Sequence, residues 1–134
     1  MVVGQCRNWL PGGPLDPTTS MGPMIDAAQM QTVADYVDIG QQEGASLMAG
    51  GVQVMANSGG YFYEPTIFDG VDNGMRIAQE EIFGPVMSVI GFKGAAEAVA
   101  IANDSIYGLA GAVWSNNINT AHKVAAAVPV GTRG

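Results

Sequence analysis

Residues 86–92 read Val-Met-Ser-Val-Ile-Gly-Phe, and this apolar run is the centre of the fold prediction. Its β-branched and aromatic side chains indicate a strand. The small residues from Ala95 to Ala102 then favour a helix, and Leu109 to Trp114 returns to strand character. A strand, a helix and a second strand in succession are typical of a βαβ unit. The two strands of such a unit run parallel because the helix crosses back between them.

The alternation continues upstream of this unit. Residues 11–23 are dense in proline and glycine, which indicates an ordered connecting loop. Asp26 is placed to cap a helix whose apolar positions recur every three or four residues. Gly40 and Gly44 offer places for that helix to end.

Further strand and helix signals complete the pattern. Residues 61–68 predict a strand, and Pro65 inside it indicates an edge or irregular strand. Near the end, Asn119 is placed to cap a helix over 120–127, and Pro129 opens another strand. We therefore predict an α/β fold with a mostly parallel sheet and covering helices, in one domain over residues 1–134.

Composition excludes several classes of partner. The chain has 134 residues, and 12 acidic against 5 basic side chains give a net charge of −7. That charge repels phosphate backbones and anionic lipids, so we expect neither nucleic acid nor membrane as a partner. No apolar stretch is long enough to span a bilayer, and the N-terminal residues lack the pattern of a secretory signal. The single cysteine fits a reducing compartment, so we expect a cytoplasmic protein.

Residues 78–86, Ala-Gln-Glu-Glu-Ile-Phe-Gly-Pro-Val, are the most informative for function. By pattern alone they indicate a solvated acidic turn that leads into a strand. The run from Glu80 to Val86, however, resembles the signature that aldehyde dehydrogenases carry after their nucleophile. Other segments resemble that family in the same order: 8–12, 14–17, 21–25, 41–45, 49–51, 61–67 and 102–109. Several ordered motifs are more specific than any one of them.

The resemblance implies a cofactor-binding role for three residues. Glu81 takes the place of the carboxylate that binds the nicotinamide ribose, since its two oxygens can accept from both hydroxyls of a diol. Phe83 matches the aromatic residue that packs beside the nicotinamide. Gln29 matches a glutamine that reaches the same ribose; the alternative is an exposed amide on the first turn of a helix. Where many relatives have a lysine near the ribose, this chain has Thr32.

Cys6 and His122 are the other candidates for chemistry. Cys6 lies only ten residues before Asp16, and in the family a strand and most of a helix separate the nucleophile from that loop. We therefore interpret Cys6 as a packing residue at a helix end, with only Arg7 nearby to activate it. A thiol enzyme built on Cys6 is a weaker hypothesis. His122 is interpreted as a lone surface histidine, and no ligand spacing indicates a metal.

The resemblance implies an internal piece of the catalytic domain of an enzyme that uses NAD or NADP to oxidise an aldehyde to a carboxylic acid. No catalytic residue is assigned, because the family's nucleophile, general base and dinucleotide-binding domain are expected before Met1. We expect the chain alone to be inactive and to bind neither cofactor tightly. The alternative is a stand-alone module that self-associates or binds a partner on the inherited fold.

Assembly follows from the apolar composition. Hydrophobic residues make up 48% of the chain and charged residues 13%, which leaves few charges to guard strand edges. We expect a homo-oligomer, with the missing parts of the parent enzyme as another candidate partner.

Overall fold

The computed structural model describes residues 2–6 and 8–133. Over these residues the chain forms two compact units that meet in sequence between Ile90 and Gly91. The expectation of a single domain over 1–134 stays a prediction. Within the described residues, no helix combines the length and apolar character needed to cross a bilayer.

The first unit carries most of the regular structure. Its helices are α1 (Val2–Cys6), α2 (Ala27–Gln42) and α3 (Arg76–Gln79), with a 3₁₀ turn at Ala56–Ser58. Its strands are β1 (Ser46–Ala49), β2 (Gln53–Val54), β3 (Phe62–Tyr63), β4 (Thr66–Asp69) and β5 (Val86–Ser88). The second unit contains α4 (Ala95–Asn103), β6 (Ala110–Gly111), α5 (Ile118–Ala127) and β7 (Thr132–Arg133).

Helices and strands alternate, so the α/β class is confirmed. Of the four described strand pairs two are parallel and two antiparallel, and the two strands of the predicted βαβ unit have different parallel partners, β4 for β5 and β7 for β6. Strands β1, β4 and β5 form a sheet in that order, with β4 and β5 parallel and β1 antiparallel to β4. Strands β2 and β3 form an antiparallel pair, and β6 and β7 a parallel one. The connection from β4 to β5 runs through α3, as a parallel pair requires. That crossover places residues 80–85 immediately before β5.

Helix α2 supplies one wall of the core. Its N-cap is Asp26, whose carboxylate accepts from the backbone N–H of Gln29 at 2.8 Å, as predicted. It ends at Gln42, and Gly44 follows at a φ of 100°, which a glycine adopts without strain. The buried cluster that includes this helix consists of Val33, Val37, Ala45, Tyr63, Phe68, Val71, Ile77 and Ile82.

Several sequence predictions require correction, among them the strand predicted over 109–114, of which only Ala110–Gly111 is a strand. The strand predicted over 61–68 is split into β3 and β4, because Pro65 has no N–H with which to continue a ladder. The cap predicted at Asn119 was wrong, since Asn117 caps α5 by accepting from the N–H of Thr120 at 3.1 Å. Helix α4 begins at Ala95 as predicted, whereas β5 ends at Ser88, earlier than the apolar run.

Thr66 provides a test of the polar contacts that support β4. Thr66 is 1% exposed. Its hydroxyl accepts from the backbone N–H of Gly51 at 2.9 Å and donates to the backbone oxygen of Glu64 at 2.8 Å. Replacing it with valine leaves both groups unsatisfied, so we expect Thr66→Val to lower the free energy of unfolding by about 1–3 kcal/mol. Urea denaturation measures this. Thr66→Ser keeps the hydroxyl and is the control; a valine variant as stable as the wild type contradicts the prediction.

Candidate functional site

Two of the three predicted cofactor residues, Glu81 and Phe83, lie on the segment between α3 and β5, and the third, Gln29, lies on α2. Glu80 has extended backbone angles, φ −113° and ψ 148°. Successive side chains of extended backbone point to opposite sides. Ile82 is accordingly buried, whereas Glu81 is exposed and Phe83 is 77% exposed. The side chains of Glu81 and Phe83 therefore face solvent on either side of a buried residue.

Phe83 adopts a backbone conformation that aromatic residues avoid. Its φ is 53°, in the left-handed region. For an L-residue this costs roughly 1–2 kcal/mol. Because its ring is largely exposed, burial offsets little of that cost. Strain of this kind persists where the surroundings impose it, and it is concentrated at functional sites.

Helix α2 imposes the conformation. The Gln29 side-chain Nε2 donates to the backbone oxygens of both Ile82 and Phe83, each at 3.1 Å. One turn further along the same helix face, Val33 packs against Gly84, where any Cβ would clash with the valine methyl. The segment is thus held by an amide on one side of Phe83 and by close packing on the other.

These contacts change the interpretation of Gln29. Both donors of its amide are used by the backbone of the segment, which leaves only its oxygen for an external ligand. The predicted contact with a ribose stays a prediction, and the observed contacts support the segment that carries Phe83. Thr32 donates its hydroxyl to the Ala28 oxygen at 3.0 Å, so the position where relatives have a lysine contributes no charge.

The first glutamate of the pair, Glu80, lies in a cluster that the sequence analysis missed. Tyr36 donates its hydroxyl to Glu80 Oε2 at 2.6 Å, and Arg76 donates to both carboxylate oxygens at 2.9 and 2.8 Å. The Arg76 guanidinium also lies 5.5 Å from the centroid of the Tyr36 ring. Hydrogen bonds from Arg76 and then Tyr36 lower the pKa of Glu80 to about 2. The four-residue spacing of Arg76 and Glu80 on a helical turn was the available sequence signal.

Cys6 has the features of an unreactive thiol. It ends α1 and its Sγ donates to the Pro65 oxygen at 3.3 Å. Burial, followed by the negative charge of Glu64, raises the pKa of the thiol and disfavours the thiolate that a nucleophile requires. Arg7, the only nearby cation in the sequence, lies outside the described residues.

The other candidates are separate from this segment. His122 is exposed on α5 in the second unit. Among residues 2–6 and 8–133, no three His, Cys, Asp or Glu side chains are grouped to hold a metal ion. An apolar cavity of about 280 Å³ is lined by Cys6, Gly84 and Pro85, but Glu81 and Phe83 do not line it.

Comparison with known proteins agrees with the resemblance. The sequence model described as "Aldehyde dehydrogenase family" matches residues 1–134. The chain is 49% identical over 123 residues to betaine aldehyde dehydrogenase of Mesorhizobium japonicum, covering 90% of this chain and 25% of that protein. It is 42% identical over 130 residues to human mitochondrial aldehyde dehydrogenase, covering 97% of this chain and 25% of that protein.

Solved structures are similar over the same length. An indole-3-acetaldehyde dehydrogenase in complex with NAD⁺ is 53% identical with a TM-score of 0.96, over 98% of this chain and 27% of that one. A betaine aldehyde dehydrogenase from Staphylococcus aureus in complex with NAD⁺ is 40% identical with a TM-score of 0.94 over the same shares. The chain therefore spans about a quarter of the length of the relatives it matches.

The Glu80 cluster makes stability depend on pH in a defined direction. The folded pKa of about 2 is below the value of about 4.3 expected for an unfolded glutamate. The stabilisation by ionised Glu80 is therefore complete above the unfolded pKa and disappears as pH falls towards 2. We expect the difference in urea midpoint between wild type and Glu80→Gln to shrink from pH 6 to pH 2. A difference that stays constant over this range would contradict the proposed stabilisation by ionised Glu80. Ser58→Ala, which removes a hydroxyl bonded only to backbone groups, provides the comparison variant, and its difference from wild type should not change with pH.

Proposed function

Because the chain belongs to the aldehyde dehydrogenase family, we propose that residues 80–84 form one wall of a nicotinamide-cofactor site in an oxidoreductase that converts an aldehyde to a carboxylic acid. One observation carries the proposal: α2 holds an exposed aromatic residue, Phe83, in a strained conformation beside an exposed carboxylate, Glu81. This arrangement does not stabilise the fold. In a binding site it would hold the two side chains in position for a ligand.

The chemistry of the two side chains suits a nicotinamide riboside. The two oxygens of the Glu81 carboxylate can each accept a hydrogen bond from a ribose hydroxyl. Glutamine, a neutral side chain of the same size, has only one such oxygen. The Phe83 ring offers a flat apolar face to the nicotinamide and its ribose without adding charge. When bound, the nicotinamide ring accepts a hydride from the substrate.

NAD⁺ is the cofactor proposed first, since it is bound in the two similar structures described above. The relatives are named for different aldehydes, so the proposed substrate is an aldehyde without further specification. We assign neither the nucleophile nor the general base to a described residue. Burial raises the pKa of the Cys6 thiol, which disfavours the thiolate that a nucleophile requires. We therefore propose that this chain by itself binds cofactor weakly and does not oxidise aldehydes. The single cysteine further supports a cytoplasmic setting.

Titration with NAD⁺, followed by amide NMR signals, tests the cofactor wall. We expect saturable shifts at residues 81–84 in the wild type, and a loss of affinity of about tenfold or more in Glu81→Gln, because a charged hydrogen bond contributes about 1.5–3 kcal/mol. Phe83→Gly is a sharper variant. It should bind NAD⁺ more weakly and unfold no more easily than Phe83→Ala, since glycine is not strained at a positive φ.

Asp38→Asn serves as the matched control, because Asp38 is an exposed carboxylate on α2, nine positions from Gln29. This variant should bind NAD⁺ as the wild type does. Equal affinity in wild type, Glu81→Gln and Phe83→Ala would refute the proposed wall.

Self-association is the second candidate function, and the surface of the second unit favours it. Ile106, Leu109 and Trp114 are 90%, 87% and 89% exposed. Leu109 and Trp114 also line a cavity of about 600 Å³ together with Tyr107 and Val130. Exposed apolar area of this kind stabilises an interface by roughly 25 cal/mol per Å² once it is buried. We propose that a second copy of the chain covers it.

Light scattering across a concentration series measures the association. The monomer mass is 13.8 kDa, and we expect a larger mass at physiological salt, where the net charge of −7 is screened. Leu109→Gln and Trp114→Gln should reduce that mass, and Ile25→Gln, an equally exposed position in the first unit, should not. A monomer mass at every concentration rules out self-association.

A further inference from the structure

The two adjacent glutamates have opposite environments. Glu80 is bound by Tyr36 and Arg76, whereas Glu81 is exposed to solvent. Between them lies extended backbone, in which neighbouring side chains point in opposite directions. Any contact that fixes the carboxylate of Glu80 against α2 and α3 consequently turns Glu81 outwards.

A single face of α2 holds the whole segment. Gln29 binds the backbone at Ile82 and Phe83, Val33 packs on Gly84, and Tyr36 binds the Glu80 side chain. The three helix residues stand at positions i, i+4 and i+7, which share one face of an α-helix. Gln29 and Tyr36 thus hold opposite ends of the strip that carries Glu81 and Phe83.

Arg76 is itself held in place, which makes the Glu80 end rigid. The backbone N–H of Arg76 donates to Glu43 Oε2 at 2.9 Å, and its guanidinium makes two bonds to Glu80 while lying over the Tyr36 ring. A planar guanidinium matches both oxygens of a carboxylate, which an ammonium cannot do. The positive charge of Arg76 also offsets the negative charge of Glu80. Glu81 is therefore the carboxylate whose negative charge remains for a ligand.

We propose that Glu80 is a positioning residue for the nicotinamide ribose: with Tyr36 and Arg76 it fixes the backbone from which Glu81 presents its carboxylate to the ribose diol. This inference rests on the proposed cofactor wall. Glu80 does not touch the ligand. Its contribution is preorganisation, because a carboxylate on a fixed backbone loses less freedom when it binds.

The first arm of the test uses the free protein. Glu80→Gln, Tyr36→Phe and Arg76→Lys should each shift the amide NMR signals of residues 81–83 and speed their hydrogen exchange. Gln31→Ala, which removes a surface hydrogen bond on the same helix, should leave those signals in place. Unchanged signals and exchange in all three cluster variants would overturn the positioning role.

The second arm uses ligands with and without the diol. We expect the dissociation constants of NAD⁺ and nicotinamide riboside to rise about fivefold to tenfold in Glu80→Gln, while that of nicotinamide, which has no ribose, stays the same. A general loss of structure would weaken all three ligands alike, and that result counts against the proposal.

The two arms separate the two claims. If neither NAD⁺ nor nicotinamide riboside binds the wild type, the cofactor wall fails, and with it the role towards ribose, even when the free-protein signals respond. If both bind and Glu81→Gln weakens them but Glu80→Gln does not, the wall stands and the inference about Glu80 is wrong.

Discussion

The packing of Val33 against Gly84 is the contact on which the site depends. Val33 is fully buried, and residue 84 can approach it only because glycine has no Cβ. With that approach in place, the Gln29 amide donates to the backbone oxygens of Ile82 and Phe83, and the Tyr36 hydroxyl donates to Glu80. Any side chain at 84 would clash with a Val33 methyl group, so the segment could not lie this close to α2.

Stability and binding make opposite demands at Phe83. The left-handed backbone and the exposed ring both cost free energy, and the two hydrogen bonds from Gln29 offset part of that cost. The same bonds limit the freedom of the ring, so a ligand that packs on it meets a preorganised surface. An unstrained residue without an aromatic ring at this position would make the protein more stable, but it would offer a ligand a smaller apolar surface.

The family assignment and the site have different supports. Similarity over residues 1–134 establishes the family, and it covers about a quarter of each relative. The described residues of this quarter present a carboxylate and an aromatic ring on a segment that is hydrogen-bonded to α2, and burial raises the pKa of the Cys6 thiol. Cofactor binding and nucleophilic chemistry have different requirements. Binding requires that side chains are held in the right positions, whereas a nucleophilic thiol requires a lowered pKa.

Sequence alone determined the features that arise between near neighbours. The cap at Asp26 acts over three residues, and the helix after it follows from periodic apolar positions. The helix at 95–103 was predicted over 95–102 from its run of small residues. The acidic and aromatic pair at 81 and 83 was also visible, through a motif of consecutive residues. Asparagines stand at 116, 117 and 119, and only the fold decided that Asn117 caps α5 instead of the predicted Asn119.

Tertiary structure decided how the site is held, because its contacts join residues far apart in sequence. Gln29 and Phe83 are separated by 54 positions, and Tyr36 and Glu80 by 44. No local pattern indicates that a helix amide binds a distant backbone, or that a tyrosine 44 positions away joins Arg76 in binding Glu80. Those outcomes depend on the crossover through α3, which brings residues 80–84 against one face of α2, and on the absence of a side chain at Gly84.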